Sequence, residues 1–209
     1  MQIQKDSTRR RILAVARREF CGRGVKRTSM RHIAAAAGMA VGNIYNYFKS
    51  KDEIFVEICA PLLAELEALL PGVDAACHKA SGGFMPERYQ AVVAQRFLHM
   101  IKNYRGEFRL LLCEATGTSL ESFIDTHADR HVTGVVTRLR QSASVWQPSH
   151  GTDIPPRLVK AASAMWQSVL KQIVLCEEMT EREALRLIAG CASFGAAGFA
   201  QLIETGDGA

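Results

Sequence analysis

Two short apolar stripes of helical spacing, held apart by one glycine, constrain this chain more than any other feature. Met30, Ile33, Ala34 and Ala37 fall at i, i+3, i+4 and i+7; Gly38 interrupts, and Val41, Ile44, Tyr45 and Phe48 then repeat the spacing. Thr28 or Ser29 can cap the first stripe by accepting from the free backbone N–H groups of its first turn. Two amphipathic helices joined by a tight glycine turn make a helix-turn-helix. A preceding helix, expected from Asp6 or Ser7 to Gly22 and Gly24, places Ile12, Ala16 and Phe20 on one stripe with Leu13 beside them. Arginines occupy its other face, and the three helices form one unit.

Helical periodicity continues downstream. Ser50 and Glu53 form a capping box, with Glu53 expected to accept from the Ser50 N–H, and the helix it opens should run to about Leu70 with a kink near Pro61. Further helices are expected over 86–103, 107–115, 119–142, 156–179 and 181–204, the last opened by a second capping box at Thr180 and Glu183. The Gly-, Ser- and Pro-bearing stretches 72–85 and 143–155 read as loops. With no alternating strand pattern and no internal repeat, the expectation is an all-α protein of about nine helices. Residues 1–50 form the first domain and 51–209 the second, and the helix from Lys51 is expected to be the only one joining them.

Charge separates the same two parts. Through Lys51 there are twelve basic residues against Asp6 and Glu19, a surplus of ten, which leaves the remainder at −5 for a chain total of +5. A basic module on an acidic body points to a polyanionic partner. An anionic membrane surface is the weaker choice, because the first helix has no Trp to anchor at an interface. The apolar run Ile12 to Ala16 is too short for a signal-peptide core, and no later stretch reads as a membrane span, so a cytoplasmic protein is expected. The six cysteines stand singly, without a C-x-x-C pair, and are expected mostly as core residues.

No catalytic constellation stands out. His127 and His131 have the i, i+4 spacing of shared metal ligands, but Ala128 stands where H-E-x-x-H needs its glutamate. The Gly-rich run GCASFGAAGF follows no strand and is no dinucleotide loop. No enzyme, metal or cofactor is expected.

From Thr28 to Phe55 the chain closely resembles the DNA-binding signature of the tetracycline-repressor family. The resemblance lies in T-S-M-R-x-I-A from Thr28 to Ala34, A-G at Ala37 and Gly38, and G-N-I-Y-N-Y-F-K-S-K from Gly42 to Lys51. It implies a ligand-responsive repressor, a homodimer on palindromic double-stranded operator DNA, with 51–209 as ligand-binding and dimerisation domain. Thr28, Ser29, Tyr45, Tyr47 and Lys51 match positions that contact phosphate in the family, and Arg31 matches one that often reaches a base. With Val41, Ile44 and Phe48 facing inward, Gly42, Asn43 and Asn46 lie on the face that can enter a major groove, where Asn pairs bidentately with adenine, and Val41 at the helix start is also expected among the DNA-binding residues. Ala40 stands where the family often has a small hydroxyl, which removes a side-chain cap. Followed by this motif, Arg9 to Arg11 also read as phosphate contacts.

For the second domain, adaptable and aromatic residues along the middle helices suggest an apolar effector pocket: Phe97, Met100, Tyr104, Phe108, Phe123, Met165 and Trp166, with polar groups from His127, His131 or Gln167. Leu158, Ala162, Met165, Val169 and Ile173, and then Leu185, Ile188, Ala192 and Gly195, are the stripes expected to join two copies in a four-helix bundle.

Overall fold

The computed structural model describes residues 2–81, 86–143 and 154–205, with side chains over 5–69, 90–139 and 154–202. Among them are eight helices and no strand: α1 (Gln2–Arg23), α2 (Met30–Ala36), α3 (Val41–Tyr45), α4 (Lys51–Ser81), α5 (Pro86–Cys113), α6 (Phe123–Ala143), α7 (Pro156–Leu175) and α8 (Glu181–Thr205). The all-α expectation holds, with fewer and longer helices than the periodicity implied.

The differences have local causes. α1 starts at Gln2, ahead of both expected caps. α4 continues through Pro61 and Pro71 to Ser81, so residues 72–81, read as loop, are helical, while 82–85 and 144–153 lie outside the described residues. Pro61 removes one backbone donor, but Ile54, Phe55, Ile58, Cys59, Leu62, Leu66 and Leu69 on either side of it are all buried. Tertiary packing of such a face outweighs a local propensity penalty. The two helices expected at 86–103 and 107–115 are one, α5, broken only at Tyr104 (φ −130, ψ 29).

Two compact units result, Met1–Ala64 with Tyr104–Phe123, and Glu65–Asn103 with Ile124–Ala209. They are cut differently from a division at residue 50. Both α4 and α5 pass from one unit into the other, so α4 is not the only shared helix.

In the first unit Ile12, Ala16, Phe20, Ile33, Ile44, Phe48, Phe55 and Phe108 are at most 1% exposed, and Phe20 meets Phe55 edge to face at 6.0 Å. Full burial of the Ile and Phe side chains among them stabilises by roughly 1.5–3 kcal/mol each. Residues 104–123 also join α1–α4 through polar ties. Arg17 grips Glu107, Ser119 N–H donates to Asp52 Oδ1 at 2.9 Å, and Val25 N–H donates to Glu114 Oε2 at 3.2 Å. Gly24 makes the last tie possible: it sits at φ +84, and a Cβ there would come within 2.6 Å of Glu114 Oε2.

The second unit buries Phe97, Met100, Ile101, Val136, Trp166, Leu170, Ile173, Ile188 and Phe199. The cysteines depart from the expected core role. Of the five described, only Cys59 is buried, Cys191 is half-buried, and Cys21, Cys113 and Cys176 are exposed. Burial pushes the Cys59 thiol up to about 12 and raises those of Cys21 and Cys191, which opposes thiolate formation at all three.

Candidate nucleic-acid interface and apolar cleft

Ser29 caps α2. Its Oγ accepts from His32 N–H at 3.3 Å, and His32 Nδ1 accepts from the Ser29 N–H at 3.3 Å, so an imidazole completes a box usually closed by Glu or Gln. Thr28 does something else. It is 2% exposed, and its hydroxyl donates to Gly24 O at 2.8 Å, so the side chain expected on phosphate is spent inside the turn. Gly38, at φ +64, closes α2 with its N–H on Ala35 O.

α3 spans only Val41–Tyr45 and, as Ala40 implied, has no side-chain cap. Its single buried residue is Ile44; Phe48 reaches the core from the following turn, with its N–H on Ile44 O at 3.0 Å. Gly42, Asn43 and Asn46 are exposed and Val41 and Tyr47 half-buried. Tyr45, assigned to the inward stripe, is 52% exposed, because a helix this short buries only one position. Arg31 and Ser29 are exposed at the start of α2. Lys51 Nζ donates to Val25 O at 2.6 Å, which ties the start of α4 to the turn after α1. The Ser50 box forms in part: Glu53 N–H donates to Ser50 Oγ at 3.1 Å, but the Glu53 carboxylate takes the Lys49 N–H rather than that of Ser50. At α8 the Thr180 and Glu183 box is complete.

The proposed effector residues divide. Tyr104, Phe108 and Phe123 belong to the first unit, with Phe108 fully buried in its core. In the second unit Phe97, His131 and Trp166 form an aromatic cluster: Phe97 meets Trp166 edge-on at 5.1 Å, and His131 stacks on Trp166 at 5.7 Å. Met100 is buried in the same unit. A cleft of about 50 Å³, partly open to solvent, is lined by His131, Val135, Met165, Trp166, Cys191 and Phe199, with Val132, Ala162, Ala192, Gly195 and Ala196 completing it. Thus Met165 and Trp166 line it, while Phe97 reaches it only through ring contacts. Cys191 is a lining residue that its isolated place in the sequence did not reveal.

His127 lies off this cleft and is bonded through Nε2 to Leu66 O at 2.8 Å. A carbonyl only accepts, so His127 carries its proton on Nε2. Burial lowers its proton affinity, and burial with the neighbouring His127 and Arg138 pulls His131 down to about 3. Both rings are neutral at physiological pH. No group of three or more His, Cys, Asp or Glu side chains suited to a metal occurs among the described residues.

The stripes expected to join two copies are largely used within the chain. Ile173 and Ile188 are fully buried, and Ala162, Met165, Ala192 and Gly195 face the cleft. The exposed apolar surface of α8 is its other face, where Phe194 is 70% exposed and Gly190 and Gly198 are exposed with it. Glu181–Leu202 is, contrary to the sequence expectation, long and apolar enough to cross a membrane, with only 17% of its apolar window buried.

Residues 12–58 match the family model described as bacterial regulatory proteins, tetR family. The transcriptional repressor KstR2 of Mycolicibacterium smegmatis is 34% identical over 86 residues, 39% of this chain and 42% of that protein. The chain therefore aligns with less than half the length of that relative. A TetR-like transcriptional regulator from Rhodococcus sp. RHA1 shares the fold, with a TM-score of 0.65 at 20% identity over 91% of this chain and 96% of that one. The ketosteroid transcriptional regulator KstR2 of Mycobacterium tuberculosis superposes with a TM-score of 0.61 at 18% identity, covering 91% and 93%.

Proposed function

Because the chain belongs to the tetR family of bacterial transcriptional regulators, we propose that it acts as a cytoplasmic, ligand-released repressor that binds palindromic operator DNA as a homodimer. The observation that carries this reading is the outward face of α3. Gly42, Asn43 and Asn46 are exposed there while Ile44 is fully buried beneath them. A glycine permits close backbone approach, and the two amides offer base-edge hydrogen bonds in a major groove. Ser29, Arg31, Tyr45 and Tyr47 supply phosphate or base contacts around it, and Lys51 adds charge while holding the α1–α2 turn.

Dimerisation is assigned to α8. A helix with Phe194 exposed between Gly190 and Gly198 presents an apolar face on which a second helix can pack closely. A twofold dimer then sets two copies of α3 about one DNA turn, ~35 Å, or a multiple apart, which calls for a palindromic site.

The effector site is the α6–α7–α8 cleft. Its lining residues carry no charged side chain, and His131 is neutral. Burying a charge there without a partner would be costly, so the fitting effector is small, apolar and uncharged. Binding that favours an operator-incompetent state of the dimer releases DNA by its differential affinity.

Enrichment of duplexes from a random-sequence pool tests the central claim. Palindromic duplexes retained by a sedimenting dimer are expected; failure to enrich any duplex over random DNA would refute it.

A further inference from the structure

We infer that Arg9 is a positioning residue for DNA recognition: it clamps the segment leaving α3 to α1 and α4, and does not neutralise a phosphate. The inference rests on the DNA-binding reading and reassigns one residue of the basic run Arg9 to Arg11.

The geometry spends the guanidinium within the first unit. Arg9 Nε donates to Glu57 Oε1 at 2.8 Å, Nη2 donates to Glu57 Oε2, and Nη1 donates to the Tyr47 carbonyl at 2.8 Å. The plane also lies over Phe48, with Cζ 4.3 Å from the ring centroid. One side chain of α1 therefore holds both residues that follow Asn46, and α4 through Glu57. A fork on a carboxylate, a carbonyl bond and a stacked ring together require the planar, five-donor head of arginine. Hydrogen bonding to Glu57 raises the proton affinity of Arg9 further, and Glu53 and Asp6 add to it. Lending this charge to a phosphate would cost it Glu57. Exposure is also unlike that of its neighbours: Arg10 and Arg11 are exposed, whereas Arg9 is half-buried.

This role matters to recognition because α3 is short. With five residues and no side-chain cap, it has little stability of its own. Ile44 and Phe48 hold it from inside, and the Arg9 bond to Tyr47 O holds the strand of backbone just past its end.

Three variants separate this role from phosphate contact, using the full chain, a duplex enriched by the wild type and a random duplex. Arg9→Lys keeps the charge and loses the fork and the stack. It should lower affinity for the enriched duplex about 10-fold, where a phosphate contact predicts near wild-type binding. Glu57→Gln should also lower affinity, where simple removal of a negative charge beside DNA predicts tighter binding. In Arg9→Gln the slope of log affinity against log salt should stay at the wild-type value, because no released counterion is lost; removal of a phosphate contact would reduce the slope by about 0.9. Circular dichroism melts establish that each variant is folded, and Arg9→Lys and Glu57→Gln decide the matter if Arg9→Gln is not. Near wild-type binding by Arg9→Lys, or tighter binding by Glu57→Gln, would overturn the inference. Failure of the wild type to enrich any duplex would instead sink the DNA-binding reading, and this role with it.

Discussion

The Arg17 guanidinium closes on the Glu107 carboxylate, Nε to Oε1 at 2.6 Å and Nη2 to Oε2 at 3.0 Å, joining α1 to the second half of α5. Glu107 is buried, whereas the Arg17 side chain is 46% exposed. Bidentate geometry raises such a pair above the ordinary surface ion pair, and solvent at Arg17 keeps it below a fully buried one. Glu107→Ala should therefore lower stability by about 1–2 kcal/mol, measured by urea unfolding. No change in the midpoint would show that the pair contributes nothing.

Gly24→Ala should cost about 1–3 kcal/mol. The residue is at φ +84 and its new methyl would press on Glu114, whose oxygen receives the Val25 N–H. Pairing it with Glu114→Ala distinguishes the two causes: relief in the double variant would assign the penalty to crowding, and none would assign it to the backbone angle.

Asn43→Ala should change base preference at one position of each half-site while leaving affinity for random duplex nearly unaltered, since base-edge contacts carry sequence and phosphate contacts do not. Equal losses on selected and random duplex would remove Asn43 from direct readout.

Much of this site was legible from spacing alone. Ile33, Ala34, Ile44 and Phe48 are buried as the period-3.6 pattern required, and Gly38 ends α2 at a positive φ. What spacing could not show is competition for a side chain. Thr28 and Lys51 look like phosphate ligands in a linear motif, yet each is bonded to a backbone carbonyl of the turn after α1. Phe108 and Trp166 are equally good pocket candidates by composition, but only the path of α5 past Tyr104 sends the first into a different core.

Phe194→Glu should yield a folded monomer that no longer binds operator tightly. The side chain is 70% exposed, so the chain itself loses little packing, whereas a symmetric contact would bring two carboxylates together. Sedimentation at micromolar concentration measures it, and an unchanged dimer would place the interface elsewhere.

Acid should destabilise the second unit through His131 and His127. Both have proton affinities below those of the unfolded chain, so the unfolded state binds more protons as pH falls below about 6.5. Their stabilising contribution is complete above that pH and declines below it; for His131 the decline continues to about pH 3, by up to about 1.4 kcal/mol per pH unit. Unfolding midpoints between pH 7 and 5 should fall, and should fall less in His131→Phe. A pH slope identical in that variant would show that His131 is not the group responsible.

Glu107, Phe108, Glu114 and Ser119 complete a unit whose other members end at Ala64. A fragment cut after residue 64 would carry the whole recognition motif and still lack the acid that holds Arg17, the acceptor for the Val25 amide and one of its fully buried phenylalanines. On a growing chain the same holds in time: α1 to α3 emerge first, but their surroundings are finished only when residues near 123 arrive. Contacts across such sequence distances slow folding, because loop closure precedes the burial that rewards it. The first unit is thus unable to close until the chain has passed through residues 65–103 of the second unit and returned.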